Sequence, residues 1–162
     1  MRWIRHLWLD DWQARRAFPP AVMETIRQAI ARDETRHRGE LRFVVEGGLP
    51  LQALLAGTGS RARAEEWFAR LGVWDTEDNA GVLVYLLLAD RRVEIVADRG
   101  IHARVGAAAW EAICGEMQRA FAAGAYARGA QVGIAAIGDL LATHFPPDAH
   151  NPNELPDAPL RV

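Results

Sequence analysis

The sequence holds one cysteine, Cys114, and one serine, Ser60, in 162 residues. A lone cysteine forbids an intramolecular disulfide and a cysteine-rich zinc site. Cys114 sits in the apolar helical stretch Trp110-Glu111-Ala112-Ile113-Cys114, where a free thiol is expected to be buried and inert. Ser60 stands just before a helical pattern, so it reads as a helix cap rather than a nucleophile. No G-x-S-x-G, G-x-x-x-x-G-K-[ST] or H-E-x-x-H motif occurs, which sets aside serine hydrolases, P-loop enzymes and zincins.

Long hydrophobic runs are also missing. The longest, Val82 to Ala89, is far short of the about 20 residues that a membrane span needs. Residues 1–16 lack a continuous apolar core and a small-residue cleavage site, so no secretory leader and no transmembrane anchor are expected. The expected compartment is the cytoplasm. A basic excess is absent as well: 19 Lys and Arg face 21 Asp and Glu, a net charge of −2. That balance argues against nucleic acid as a partner.

What is present is an ordinary globular composition, 50% hydrophobic and 25% charged. A domain of this length buries roughly 70% of its unfolded surface, so it needs no metal to fold. A metal site would serve function or local order.

Residues 1–18 read as an amphipathic helical segment. Trp3, Trp8 and Trp12 lie among Arg2, Arg5, His6, Arg15 and Arg16, and helical spacing puts Ile4, Trp8 and Trp12 on one face. Such a helix packs on its own domain, docks on a partner or a second copy, or lies at a membrane interface. Asp10 and Asp11 dilute its basic character.

Residues 19–146 read as the folded domain. Val22, Ile26 and Ile30 mark a helix after Pro19-Pro20. A strand follows over 40–46, then an ambiguous stretch over 49–58 and a helix from Arg61 to Leu71. Gly81 to Leu88 is apolar on both faces, as a central strand covered on both sides would be. Val93 to Ala97 returns as its hairpin partner across Asp90-Arg91. Helices then span Gly106 to Phe121 and Ala127 to His144, and residues 147–162 form a Pro-rich tail expected to be loose. The order predicts a three-layer α/β/α sandwich: a small mixed sheet of three or four strands with helices on both faces.

The hairpin predicts where chemistry gathers. With Asp90 and Arg91 in the turn, Asp98 is expected opposite Val82, so loop 75–79 adjoins segment 98–102. One rim of the sheet then collects Asp75, Glu77, Asp78 and Asn79 with Asp98, Arg99 and His102, and Glu34, His37 and Glu40 lie nearby. Hard cations such as Ca²⁺ or Mg²⁺ take clustered carboxylate, amide and carbonyl oxygens, which Asp78, Asn79 and Asp98 offer on loops beside glycines. Acidic loop residues that are simply solvated are the plain alternative, and each histidine is equally read as a surface or hydrogen-bonded side chain.

The segments Asp78-Asn79-Ala80-Gly81-Val82-Leu83, Asp90-Arg91 and Asp98-Arg99-Gly100-Ile101 resemble the TPM-domain family, as do Phe121, Gly124 and Gly129 downstream. Trp74-Asp75-Thr76 and Val93 to His102 resemble its short bacterial members without a transmembrane anchor. The resemblance covers roughly residues 20–145. It implies an α/β/α sandwich and divalent-cation binding, and in plant relatives acid-phosphatase activity and photosystem repair. Elsewhere in the family the domain is a membrane-associated accessory module. Two departures stand out: Ala80 separates Asn79 from Gly81, and Asp98-Arg99-Gly100 stands where relatives often carry a Gly-Tyr-Gly-like segment. Three functions therefore compete. One is a non-catalytic accessory domain with a cation-binding acidic rim, acting on a protein partner near a membrane. Another is a metal-assisted phosphatase in which Arg99 holds phosphate, and the third is a structural subunit of a larger assembly.

Overall fold

The structure, a computed structural model, describes His6 and residues 11–162. Trp3 and Trp8 lie outside the described residues. Helix α1 (Asp11–Ala17) leads into α2 (Pro20–Asp33), whose first turn holds proline where a helix needs no amide donor. A single 3₁₀ turn, Glu34–Arg36, joins α2 to β1 (Glu40–Glu46). The ambiguous stretch over 49–58 contains a short helix, α3 (Leu51–Leu55), and α4 (Ser60–Arg70) follows it.

Strands β2 (Gly81–Leu87) and β3 (Arg92–Ala97) form the expected hairpin. The next element, α5 (Arg99–Val105), was not anticipated, because a seven-residue segment containing Gly100 carries little helical periodicity. Helices α6 (Ala107–Ala122) and α7 (Tyr126–His144) then pack against each other. Gly133 permits that approach, since a Cβ there would run into the Met117 side chain.

Among the described residues the sheet has the order β3-β2-β1-β4, where β4 is Leu160–Arg161. β1 runs parallel to β2 and β4, and β3 is antiparallel to β2. Every residue of β1 and β2 is buried, the burial expected of central strands. The core has two parts, one on each face. Leu41, Phe43, Val45, Val82 and Val84 meet the helical layer of Ile26, Ile30, Met117, Ile134 and Ile137. On the opposite face Val44, Leu83, Tyr85 and Leu87 meet Ala53, Leu54 and Ala64, with Trp67 and Phe68 beside them. The chain is thus a mixed α/β sandwich.

The C-terminal tail is not loose. Val162 donates its amide to Val45 O, Gly47 donates to Val162 O, and Leu155 and Leu160 pack on the second core. A Pro-rich segment still adds a strand when its main-chain groups find an open sheet edge. The N-terminal end docks too, as far as it is described. Ala14 and Phe18 are fully buried, and the Phe18 ring lies beside Phe43, Phe121 and Tyr126. His6 is buried: Leu49 donates its amide to Nδ1, so the proton sits on Nε2, which donates to Asp90 at 3.0 Å.

Candidate functional site

The three longer strands start or end together at one rim. Glu40 faces Gly81 in the parallel pair, and Asp98 donates its amide to Gly81 O at 2.8 Å. Asp98 therefore stands opposite Gly81 rather than Val82, which faces Ala97. The turn causes the shift. Leu88 to Arg91 forms a four-residue loop, closed by Arg91 in the left-handed region at φ 53°.

Loop 75–79 is shaped by two local devices. Thr76 is buried and its hydroxyl accepts the Ala80 amide at 3.1 Å. Asn79 adopts φ 52°, a conformation asparagine tolerates better than most residues. The loop then presses on the start of α5. Ile101 donates its amide to Asn79 O, and a Cβ on Gly100 would lie 2.6 Å from Asn79 O and 2.7 Å from Asp78 O. Glycine is required there by close approach of main chain. Two carbonyl oxygens thus converge on the residue that follows Asp98-Arg99. Asp98 itself caps α5: Oδ1 accepts the Arg99 amide at 2.7 Å, while Oδ2 is buried with no hydrogen-bond partner among the described residues.

The other expected rim residues divide into two groups. Asp75 and Glu77 are exposed, as are Arg99 and His102. The Asp78 carboxylate lies 3.3 Å from Arg38, which also reaches Asp148 in the tail. Glu34, His37 and Glu40 form instead the bed on which the tail rests. Both ring nitrogens of His37 are engaged, with Gly39 O and Asp33 Oδ2. Glu40 accepts the amides of Glu154 and Leu155, each at 3.0 Å. Glu34 accepts the Leu41 amide; burial, then the neighbouring Glu40 charge, pushes its carboxyl up to about 9. Burial raises Glu40 as well and lowers Arg42, which donates to Pro156 O but leaves Nε without a partner among the described residues. These groups anchor the tail and are not free to hold a ligand. Among the described residues no three His, Cys, Asp or Glu side chains come together as a metal site of side chains alone would need.

One polar centre escaped the sequence reading. Glu46, at the end of β1, accepts from Arg63 through both oxygens, from Trp67 Nε1 at 3.2 Å and from Tyr85 OH at 2.6 Å. Burial and the Glu46 charge raise the Tyr85 hydroxyl above its usual range. The signal was faint: Arg63 and Trp67 are four residues apart on one helical face, and only the fold brings Glu46 to them. With every oxygen engaged, Glu46 ties α4 to the sheet rather than offering a base.

No curated protein matches the chain. Similar solved structures include the BA42 protein of the psychrophilic bacterium Bizionia argentinensis. It is 27% identical with a TM-score of 0.74, over 88% of this chain and 93% of that one. The N-terminal domain of a P. gingivalis protein shares the fold at 21% identity and a TM-score of 0.62, over 81% and 82% of the two chains. Among the described residues no helix is long and apolar enough to cross a membrane. Residues 14–140 match the TPM domain, and the joint between loop 75–79 and α5 lies within that span, so the chain belongs to the TPM-domain family.

Proposed function

We propose that the chain is a non-catalytic accessory domain that binds a partner protein and takes a hard divalent cation, Ca²⁺ or Mg²⁺, where loop 75–79 meets Asp98. The observation that carries this reading is the buried Oδ2 of Asp98, which has no partner among the described residues. A carboxylate oxygen taken out of water without a donor is costly unless a positive charge arrives. The main-chain oxygens of Asp78 and Asn79 at the adjoining Gly100 are the donor type that such cations prefer. Among the described residues no third carboxylate joins them, since the Asp78 side chain is paired with Arg38 and Asp75 and Glu77 are exposed, so water completes the shell. So few charged ligands make for weak affinity, on the order of 10⁻⁴–10⁻³ M. Bound there, the cation would fasten the loop to α5.

The partner-binding half of the reading rests on α1. Trp12 is 63% exposed and stacks with the Arg16 guanidinium, an amphipathic patch suited to a protein partner in the cytoplasm, beside a membrane. Phosphate-ester hydrolysis at the same corner is the lesser reading. Ser60 is committed to Glu94 at 2.6 Å, and Arg99 and His102 are exposed.

Thermal unfolding in the presence of Ca²⁺ or Mg²⁺ tests the cation. At 100 times the dissociation constant the native state gains about 2.7 kcal/mol, a rise of several degrees that Asp98→Asn should abolish. No rise at tens of millimolar cation would remove the cation from the reading and leave the partner surface to carry it.

A further inference from the structure

β3 is an edge strand, and the direction of its main-chain groups follows from one hydrogen bond. Asp98 donates to Gly81 O, so Gly81 and Asp98 are a hydrogen-bonded pair of the antiparallel ladder. Alternation then places Leu83/Val96, Tyr85/Glu94 and Leu87/Arg92 in the same class. Val93, Ile95 and Ala97 must turn their N–H and C=O groups the other way, out of the sheet. Among the described residues the sheet ends there.

Among the described residues, side chains engage only the middle of that edge. Arg61 donates to Ile95 O at 2.6 Å, and the Ile95 amide lies against the Cys114 thiol. Along the same edge runs a groove of about 440 Å³ between α4 and α6, lined among others by Arg61, Val93, Ile95, Ala97, Trp110 and Cys114. Trp110 is only 5% exposed, and its indole N–H is buried with no acceptor among the described residues. A groove with an orphaned donor in its wall and main-chain groups along its floor asks for a ligand rich in carbonyls.

We infer that this groove accepts an extended segment of a partner protein as an added strand beside β3. Strand addition draws affinity from main-chain hydrogen bonds and is tolerant of sequence. Six residues of β3 span about 20 Å, enough for a segment to pair with Val93, Ile95 and Ala97. The flanking helices favour this occupant over a second copy: α4 and α6 both pack on β3, so another β3 would arrive carrying helices of its own, whereas a single extended segment brings none. Arg61 competes with the incoming strand for Ile95 O. It is half exposed and paired with Glu65 on its own helix, so it has somewhere to go. The inference deepens the partner-binding reading but uses none of Asp78, Asn79 and Asp98.

The test is an amide NMR titration of the full chain, without divalent cation, using a blocked hexapeptide of alternating threonine and valine. Shifts are expected at the Val93 and Ala97 amides and at the Trp110 indole, with slowed amide exchange at both amides. The same peptide N-methylated at alternate residues should bind at least tenfold more weakly. Val93→Pro should abolish binding, because it removes an outward donor that the ladder to β2 does not use. Arg61→Ala should tighten binding severalfold by freeing Ile95 O. If Val93→Pro does not fold, the N-methylated peptide decides alone. Equal binding of the two peptides, no shift at millimolar peptide, or shifts confined to other surfaces would overturn the inference. Concentration-dependent shifts at β3 without peptide would also overturn it, in favour of a second copy. None of these outcomes touches the cation-dependent rise in midpoint, so the two readings fail separately.

Discussion

The two edges of the sheet are closed in different ways. Beside β1 the chain uses its own main chain: β4 pairs with Val44 and Val45, and Glu40 and Arg42 hold residues 154–156. Beside β3, among the described residues, it uses side chains, Arg61 and Cys114, and these reach only Ile95. Buried carboxylate and guanidinium groups under the tail must stay paired, since an uncompensated buried charge costs several kcal/mol. An exposed arginine over β3 is easily exchanged, since surface contacts of that kind contribute about 1 kcal/mol or less. One edge is therefore built as part of the fold, and the other is available for exchange. Side-chain cover of this second kind is also a common guard against unwanted sheet pairing.

The largest effect expected from this contrast is removal of residues 154–162. Loss of β4, Leu155 and Leu160 strips the partners from Glu40 and Arg42, and should cost about 5 kcal/mol in urea unfolding. A loss below about 1 kcal/mol would place the tail in the same class as the β3 cover. Glu46→Ala comes next. It leaves the Arg63 guanidinium and the Tyr85 hydroxyl without their acceptor, and should cost roughly 3–5 kcal/mol by the same measurement.

The pH dependence of stability sharpens the picture of the tail bed. In the folded chain Glu34 holds its proton up to about 9, against 4.5 for an ordinary glutamate. Folded protein thus retains a proton that unfolded chain sheds across that window. The stabilisation is complete below the lower value and disappears as pH rises through the upper one. Urea midpoints should therefore fall from pH 5 to pH 9, and Glu34→Gln should flatten much of that decline. The residual slope belongs to Glu40, which burial also raises. An unchanged slope in the variant would show that the Glu34 carboxyl is not held protonated. The smallest effect is Arg61→Ala, on the open edge: a change within about 1 kcal/mol in stability, even though strand addition is strengthened. A cost of several kcal/mol would mean that Arg61 is part of the fold rather than an exchangeable cover.

Much of the fold was legible because it is written in local pattern. Val82 to Leu88 is apolar on both faces, and only a central strand covered on both sides accommodates that. The Asp90-Arg91 turn and the helices at Ile26/Ile30 and Ile113/Met117 follow from periodicity. The one-residue error in register arose because turn length is set by which residue takes a left-handed conformation, and Arg91 gives no sign of it. The candidate site was legible as a neighbourhood. Asp78, Asn79 and Asp98 do meet at one rim, since strand direction alone brings their loops together. Glu34, His37 and Glu40 lie near it but are taken up elsewhere, the His37 ring by Gly39 O and Asp33 and the Glu40 carboxylate by the tail, and nothing in a Pro-rich polar segment announces that it will cover them.

By itself the sequence determined the order of the longer strands and helices, though not α3, α5 or β4, together with the parallel crossover, the hairpin and the absence of a nucleophile motif, because each depends on residues close together in the chain. Tertiary structure decided the rest. The tail became β4, Glu46 became the anchor of α4, and Asp98 was left with one oxygen unpaired among the described residues. Each of these depends on which polar groups burial deprives of water, and that is settled only when distant segments meet.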